Sequence, residues 1–209
     1  MPLFNSIESR ASQDRLERLI EARLEPDADT QAIDARIWKL FGERWTVMFT
    51  DLIGFSRNVA DFGIVHFLQT IHISHRLLVP ALERATGILL KTEGDSMLVI
   101  FRDPGDAVQA AIDMQRCLLA HNVSRPRAEH VLLGIGIGYG DVLRIGDADV
   151  FGAEVNAAAK LGEDTALAGE ILLTAAVHDA VVDDGHDGFE VLAVPPPGTH
   201  AAYRLQYRV

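Results

Sequence analysis

Short apolar runs alternate with longer amphipathic segments along this chain, and few folds can accommodate the order in which they occur. Runs of about four to eight residues indicate strands, and longer segments with apolar residues every three or four positions indicate helices. From residue 44 onwards the order is β-α-β-β-α-β, followed by a β-α-β unit and terminal strands. The first six elements match a ferredoxin-like split βαβ sheet. The sequence therefore predicts an α+β fold with this sheet and an added C-terminal βαβ-type subdomain.

The first predicted strand, Arg44 to Thr50, passes into a predicted helix over 56–86 through a turn that carries a charge. Asp51 ends the strand, Gly54 permits a tight turn, and Ser56 is a suitable N-cap. A carboxylate binds hard cations and helix-terminal N–H groups bind anionic oxygens, so this turn suits a metal-bound phosphate. An ordinary strand-to-helix turn with a solvated Asp51 would have the same sequence.

A second carboxylate is expected beside the first. Predicted strands over 87–91 and 96–101 flank Glu93-Gly94-Asp95, which predicts a tight hairpin. In a ferredoxin-like sheet the first strand runs antiparallel beside this hairpin, so its C-terminal end lies next to the hairpin tip. Asp51 and Asp95 should therefore converge, and two convergent carboxylates are typical of a divalent metal site.

Two helices are predicted before the sheet, over Ser9 to Leu24 and Thr30 to Phe41, with Gly42 at the end of the second. Their apolar stripes cannot be buried against each other alone. We therefore expect them to pack on the following domain or on a second copy of the chain. The predicted division is an N-terminal helical extension over residues 1–43 and a main domain over residues 44–209.

Composition excludes several classes of protein. The net charge is −11 with no cluster of lysine and arginine, which argues against nucleic-acid binding. Cys117 is the only cysteine, so the chain has no internal disulfide. No apolar run approaches the ~18–20 residues of a membrane span, and the N-terminus lacks a basic-then-apolar leader. These features predict a cytoplasmic protein without membrane insertion.

Glycine alternates with Leu and Ile in a predicted strand over 130–139, and a further strand is predicted over 141–145. The small residues indicate close approach by another backbone or by a ligand. The pattern differs from the dinucleotide-binding order of strand, Gly-x-Gly-x-x-Gly and helix. Asp147 to Gly152 is predicted to form a turn, and a helix over 153–168 would carry Asn156 and Lys160 on one face.

Three motifs together resemble one known family. They are Phe49-Thr-Asp-Leu-Ile-Gly-Phe-Ser56, Lys91-Thr-Glu-Gly-Asp95 and Asp149-Val-Phe-Gly-Ala-Glu-Val-Asn156. In this order and spacing they are similar to the class III nucleotidyl cyclase catalytic domain. The resemblance covers roughly residues 44–209 and leaves out the two opening helices.

The resemblance implies a two-metal site with phosphate-binding backbone groups. Asp51 and Asp95 look like the metal carboxylates, with the backbone carbonyl of Leu52 as a further ligand. Two Mg²⁺ or Mn²⁺ ions would then activate the ribose 3′-hydroxyl and hold the triphosphate. The backbone N–H groups of a three-residue turn would hold phosphate: Gly54, Phe55 and Ser56.

The resemblance also implies how the base and the ribose are bound. Lys91 lies at the family's base-selecting position, and Asp149 is its partner. A lysine donor can meet adenine N1 and an aspartate acceptor can meet the N6 amine, whereas guanine presents the opposite pattern. The pair therefore indicates ATP. Asn156 resembles the residue that orients the ribose.

In this family the site is shared across a head-to-tail dimer, with metal carboxylates from one chain and base- and ribose-binding residues from the other. Both sets occur in this sequence, so the resemblance implies a homodimer with two complete sites.

Two positions depart from the family pattern. Lys160 stands where the family has an arginine that stabilises charge on the triphosphate, and lysine lacks the planar guanidinium fork. A lysine that contacts the terminal phosphates is also missing, because no lysine follows Lys160. Arg204, Arg208 or His200 are possible substitutes. Loss of one such cation could cost on the order of a hundredfold in rate.

Three functions are therefore considered. The first is a homodimeric adenylyl cyclase that makes cyclic AMP and pyrophosphate from ATP. The second is a catalytically weak cyclase-like domain that binds nucleotide as a dimeric regulatory module, which the altered phosphate residues favour. The third is a cyclase for a pyrimidine nucleotide, which Lys91 and Asp149 disfavour.

Overall fold

A computed structural model describes residues 11–54, 62–196 and 199–208 of the chain. Phe55, Ser56 and the start of the predicted helix over 56–86 lie outside the described residues. The described part of that helix runs over Ile64–Arg84.

The elements follow the predicted order, with small shifts of their ends. The first half of the chain contains α1 (Ala11–Leu24), α2 (Thr30–Phe41), β1 (Gly42–Leu52), α3 (Ile64–Arg84), β2 (Ile88–Glu93), β3 (Ser96–Phe101) and α4 (Pro104–Asn122). The second half contains a 3₁₀ turn (Arg127–Glu129), β4 (Leu133–Ile145), β5 (Asp149–Phe151), α5 (Ala153–Ala159), a π-helical turn (Lys160–Thr165), β6 (Ile171–Thr174), α6 (Ala175–Val181), β7 (Gly188–Val191) and β8 (Ala202–Gln206). None of the described helices is long and apolar enough to cross a bilayer.

The eight strands of the described residues form one mixed sheet in the order β2-β3-β1-β4-β6-β8-β7, and β5 pairs with β4 outside this path. The first four strands have the ferredoxin-like order, with β1 antiparallel to both β3 and β4. β6 adds parallel to β4 through the crossover that contains α5, and β8 and β7 complete the edge by antiparallel pairing. The predicted α+β fold is confirmed.

Three local predictions in the second half of the chain are wrong. The strands predicted over 130–139 and 141–145 are one strand, because β4 pairs with β1 without interruption from Gly42↔Leu143 to Leu52↔Leu133. The predicted turn around Asp149 is instead the short strand β5, held by pairing with β4. The helix predicted over 153–168 is α-helical only to Ala159 and continues as a π-helical turn.

Apolar side chains cover both faces of the sheet. One face packs on α3, α4 and α6, and this core includes Met48, Leu78, Met114 and Val177, all inaccessible to solvent. The other face holds a smaller core around Trp45, Val47, Leu98, Val142 and Val155. Since Val155 belongs to α5, this helix lies on the face opposite α3 and α4.

The glycines of β4 allow the backbone of α5 to lie directly on the strand. A Cβ atom at Gly136 would lie 2.2 Å from the carbonyl oxygen of Ala158 and 2.3 Å from the amide nitrogen of Gly162. At Gly138 it would lie 2.4 Å from the carbonyl oxygen of Glu154. The predicted close approach is therefore confirmed, and the approaching group is backbone.

The opening helices pack on the main domain, which is one of the two packing arrangements expected from the sequence. Leu19 of α1 and Ile37 and Phe41 of α2 form a small core with Ile145 of β4. The helix α2 passes straight into β1, and the N–H of Gly42 donates to the carbonyl oxygen of Trp38 at the helix end.

We expect Gly136→Ala to destabilise the fold strongly, because its Cβ would collide with backbone atoms that cannot rotate away. The expected loss is about 3 kcal/mol, or roughly 6–12 °C in Tm by thermal unfolding. Gly140→Ala on the same strand is the matched control, since the nearest atoms to its Cβ belong to the side chain of Glu154, at 2.8 Å, rather than to backbone. Equal losses for the two variants would contradict the direct backbone contact.

Candidate active site

The end of β1 and the tip of the β2–β3 hairpin meet as the topology predicts. β1 and β3 pair antiparallel through Thr50↔Met97, so the next residue of β1, Asp51, reaches Ser96. The Ser96 hydroxyl donates to Asp51 Oδ1 at 3.1 Å. Gly94 adopts a positive φ of 61° in the turn, which glycine tolerates without strain. Asp95 follows it directly, beside the end of β1.

The two carboxylates are half-buried and repel each other. Burial and, next, the charge of Asp95 raise the pKa of Asp51 to about 6, against the lowering effect of the Ser96 hydrogen bond. Burial likewise raises the pKa of Asp95. Among the described side chains, no cation compensates the negative charge at this point of the surface.

The donor set suits a hard divalent cation, because carboxylate oxygens are preferred by Mg²⁺ and Mn²⁺. Asp51 and Asp95 supply two such groups, and the backbone of Leu52 follows at the end of β1. Across the described residues no three Asp, Glu, His or Cys side chains are grouped as metal ligands. The described side chains thus offer a pair of carboxylates at this point.

Lys91 and Asp149 form a direct ion pair although they lie 58 positions apart in the sequence. Lys91 Nζ is 3.0 Å from Asp149 Oδ2 and 3.0 Å from Glu93 Oε1. Burial lowers the pKa of Lys91, but the hydrogen bonds to Glu93 and Asp149 together raise it above its usual value. A donor and an acceptor of opposite charge therefore lie side by side on the face of the sheet that packs against α5.

A cavity of about 250 Å³ lies beside this pair. It is enclosed by residues of β2, β3, β5 and α5, and Phe49 of β1 also lines it. Its polar lining residues include Lys91, Glu93, Ser96, Asp149, Asn156 and Glu163. Three of the predicted substrate-binding residues are thus brought to one cavity: Lys91, Asp149 and Asn156.

Glu163 is a cavity residue that sequence reasoning missed. It lies in the π-helical turn and is near enough to Asp51 and Ser96 to affect the pKa of Asp51 and to be affected by the Ser96 hydroxyl. A regular α-helix was predicted across this position, and nothing in the local sequence indicates a π-helical turn. Gly162, which meets the β1 backbone, is the one residue that could have signalled a close approach.

The predicted phosphate-binding residues that the structure describes do not line this cavity. Lys160 Nζ is 2.9 Å from Asp164 Oδ2 on an exposed helix face, and Lys160 does not line the described cavity. Gly54 adopts a positive φ of 96° just after β1, in agreement with a tight turn. Phe55 and Ser56, predicted to share its role, lie outside the described residues.

The cations proposed as substitutes for the missing lysine are engaged elsewhere. Arg204 is 2.8 Å from both Glu170 and Glu190. Arg208 Nε lies 3.4 Å from Asp187, and the Arg208 carbonyl accepts from Arg116. Two of the three candidates therefore already have carboxylate partners, because the terminal strands pair them with acidic neighbours; His200 is exposed.

We expect Asp51→Asn to stabilise the metal-free protein at pH 7.5. The raised pKa means that the folded state holds a proton between about pH 4 and pH 6 that the unfolded state releases, so Asp51 makes stability fall as pH rises through this window. The amide removes that cost and still accepts from Ser96. After discounting for solvent screening, the gain is on the order of 1 kcal/mol, or roughly 2–4 °C in Tm.

The measurement is thermal unfolding with EDTA at pH 7.5 and at pH 4, where the difference should be much smaller because Asp51 is protonated in the folded state. Asp27→Asn is the matched control, since Asp27 lies exposed in the turn between α1 and α2. An unchanged or lower Tm at pH 7.5 would show that Asp51 is not held in a repulsive environment.

Comparisons with known proteins agree with this geometry. Among curated proteins, the chain is 31% identical over 149 residues to an adenylate cyclase of Streptomyces coelicolor, and the match covers 65% of this chain and 36% of the relative. It is 29% identical over 136 residues to a putative adenylate cyclase 3 of Rhizobium meliloti, covering 65% of this chain and 23% of the relative. The chain thus spans about a third or less of the length of these relatives.

A solved structure of this kind has a similar fold. An adenylate/guanylate cyclase/hydrolase from Silicibacter pomeroyi superposes with a TM-score of 0.70 at 27% identity, covering 78% of this chain and 96% of that one. The family model of the adenylate and guanylate cyclase catalytic domain matches residues 42–194. With the fold, the motifs and this match in agreement, the chain belongs to the adenylate and guanylate cyclase catalytic domain family.

Proposed function

We propose that the protein is a homodimeric adenylyl cyclase that converts ATP to 3′,5′-cyclic AMP and pyrophosphate. The ribose 3′-hydroxyl attacks the α-phosphate, the new P–O bond closes the ring, and pyrophosphate leaves. The observation that carries the choice of ATP is the 3.0 Å contact between Lys91 Nζ and Asp149 Oδ2 at the cavity. The names of the two bacterial relatives, both adenylate cyclases, support the same choice.

The pair suits adenine for a simple chemical reason. Adenine presents an acceptor, N1, beside a donor, the N6 amine, and these match a lysine donor beside an aspartate acceptor. Guanine presents a donor at N1 beside the O6 acceptor, so it would face like groups across both contacts. Glu93 also contacts Lys91, at 3.0 Å, and keeps the ammonium beside Asp149 before the base arrives.

Two Mg²⁺ or Mn²⁺ ions per site would be held by Asp51, Asp95 and the Leu52 carbonyl. When bound, such ions lower the pKa of the attacking hydroxyl and neutralise the triphosphate. Burial raises the pKa of both carboxyl groups, and the charge of Asp95 raises that of Asp51 further. A divalent cation would relieve both effects. The backbone N–H groups of Gly54, Phe55 and Ser56 would hold phosphate oxygens.

The remaining chemistry falls to α5 and the turn after it. Asn156 lines the cavity and would hydrogen-bond the ribose to orient the 3′-hydroxyl. Lys160 would have to exchange Asp164 for the triphosphate, which is feasible because their ion pair is exposed. We propose that a second copy of the chain completes each site, with metal carboxylates from one protomer and Lys91, Asp149 and Asn156 from its partner.

One observation favours a second function, a catalytically weak nucleotide-binding module. Lys160 and Arg204 both have carboxylate partners within 2.9 Å, so each cation would have to leave its partner before it could stabilise charge on the leaving pyrophosphate. Cyclisation of a pyrimidine nucleotide is the third candidate, and the Lys91–Asp149 pair disfavours it.

We expect purified protein with Mn²⁺ to form cyclic AMP from ATP and much less cyclic product from GTP, CTP or UTP, as read by mass spectrometry. Asp51→Ala should lower the rate by at least about a hundredfold, because a metal carboxylate is lost. Asp27→Ala, at an exposed turn, is the control. No cyclic product from any nucleotide at high enzyme concentration would leave the regulatory module as the function, and a pyrimidine product would select the third candidate.

We also expect complementation between two inactive variants. Asp51→Ala and Asn156→Ala remove residues that belong to opposite halves of each shared site, so a mixed dimer keeps one intact site. Mixing equal amounts should restore about a quarter of wild-type activity by random pairing of protomers. A mixture as inactive as its components, in protein shown to exchange subunits, would contradict the shared site.

A further inference from the structure

Glu163 lies between two groups of site residues of the same protomer, the cavity residues and the carboxylates at the end of β1. It lies on the turn that follows Asn156 and Lys160, and it lines the same cavity as Lys91 and Asp149. Ser96, whose hydroxyl contacts Asp51, lines this cavity too. Burial raises the pKa of Glu163 and a hydrogen bond from Ser96 lowers it, which agrees with this proximity. Glu163 therefore reaches from the turn after α5 toward the end of β1, which carries Asp51.

The backbone holds Glu163 in this position. The turn Lys160–Thr165 is π-helical, and such turns occur often at functional sites because the extra residue redirects the side chains that follow. A Cβ atom at Gly162 would lie 2.7 Å from the carbonyl oxygen of Phe49 and 3.0 Å from the amide nitrogen of Gly136. Glu163 is thus the first side chain after a backbone segment pressed against β1 and β4.

Ser96 faces two acceptors with one hydrogen. A serine hydroxyl can donate only one hydrogen bond at a time. In this structure it donates to Asp51 Oδ1 at 3.1 Å, and the Glu163 carboxylate lies beside it as an alternative acceptor. While Asp51 Oδ1 accepts from Ser96, that oxygen is less available to a cation.

We propose that Glu163 is a positioning residue that accepts the Ser96 hydrogen bond when a cation binds, and so frees Asp51 to act as a metal ligand. This inference rests on the proposed function, because it assigns Asp51 to the metal. Glu163 itself is not a ligand in this proposal. It acts through Ser96.

The test compares two substitutions of Glu163, one that keeps a hydrogen-bond acceptor for Ser96 and one that removes it. Glu163→Gln removes the charge but keeps an acceptor oxygen, whereas Glu163→Met keeps the length and removes both. The probe is 3′-deoxy-ATP, which lacks the attacking hydroxyl and cannot cyclise. The measured quantity is the Mn²⁺ concentration at half-maximal binding of 3′-deoxy-ATP, by calorimetry.

We expect Glu163→Met to raise this Mn²⁺ concentration about tenfold, because a hydrogen bond to a charged acceptor is lost. Glu163→Gln should raise it only about two- to threefold, through loss of charge alone. In a Ser96→Ala background the difference between Met and Gln should disappear, since no hydroxyl remains to be accepted. Glu83→Gln and Glu83→Met, on the exposed face of α3, are the matched controls and should resemble wild type.

Equal effects of Met and Gln, or a difference that persists without the Ser96 hydroxyl, would overturn the role of Glu163. Circular dichroism checks folding, and Glu163→Ala repeats the test if Glu163→Met is unfolded. Failure of the proposed function gives a different pattern: wild-type protein would then bind 3′-deoxy-ATP without Mn²⁺ dependence, or Asp51→Asn would bind it with unchanged Mn²⁺ dependence.

Discussion

The site depends on direct contact between two backbones. The helix α5 and the π-helical turn after it lie against β4 and β1 without intervening side chains, because Gly136, Gly138 and Gly162 have no Cβ atoms to separate them. This contact places Asn156 beside the cavity on the α5 face of the sheet and directs Glu163 toward β1, the strand that carries Asp51. A side chain at any of these glycines would lift the helix from the sheet and separate the nucleotide-facing residues from the carboxylates.

Charge is distributed unevenly over this face. Lys91 is paired with Asp149 and Glu93, so this donor and acceptor are already in contact in the free chain. Asp51 and Asp95 have no cationic partner among the described side chains, and burial raises the pKa of both carboxyl groups. In the proposed function, the preformed pair would select the base and the repulsive carboxylates would recruit a cation. The two roles would then have separate electrostatic origins on one chain.

Much of the architecture could be predicted from pattern alone. The order of apolar runs led to the ferredoxin-like sheet, and the sheet then required Asp51 to lie beside the hairpin tip. The opening helices and the close approach along the Gly-rich strand were also predicted. The length of β4, the strand at Asp149 and the π-helical turn were not, because each is decided by pairing or packing with residues distant in sequence.

The sequence by itself determined the ferredoxin-like order of the first four strands, the meeting of Asp51 with Asp95, and the family, since these follow from local periodicity and from motifs that each occupy one continuous stretch. Only the tertiary structure decided which charges are partnered. Lys91 with Asp149, Lys160 with Asp164 and Arg204 with its two glutamates are contacts set by strand register and helix geometry. Glu163 entered the site for the same reason: a single extra residue in a helical turn redirects a side chain, and no local pattern records it.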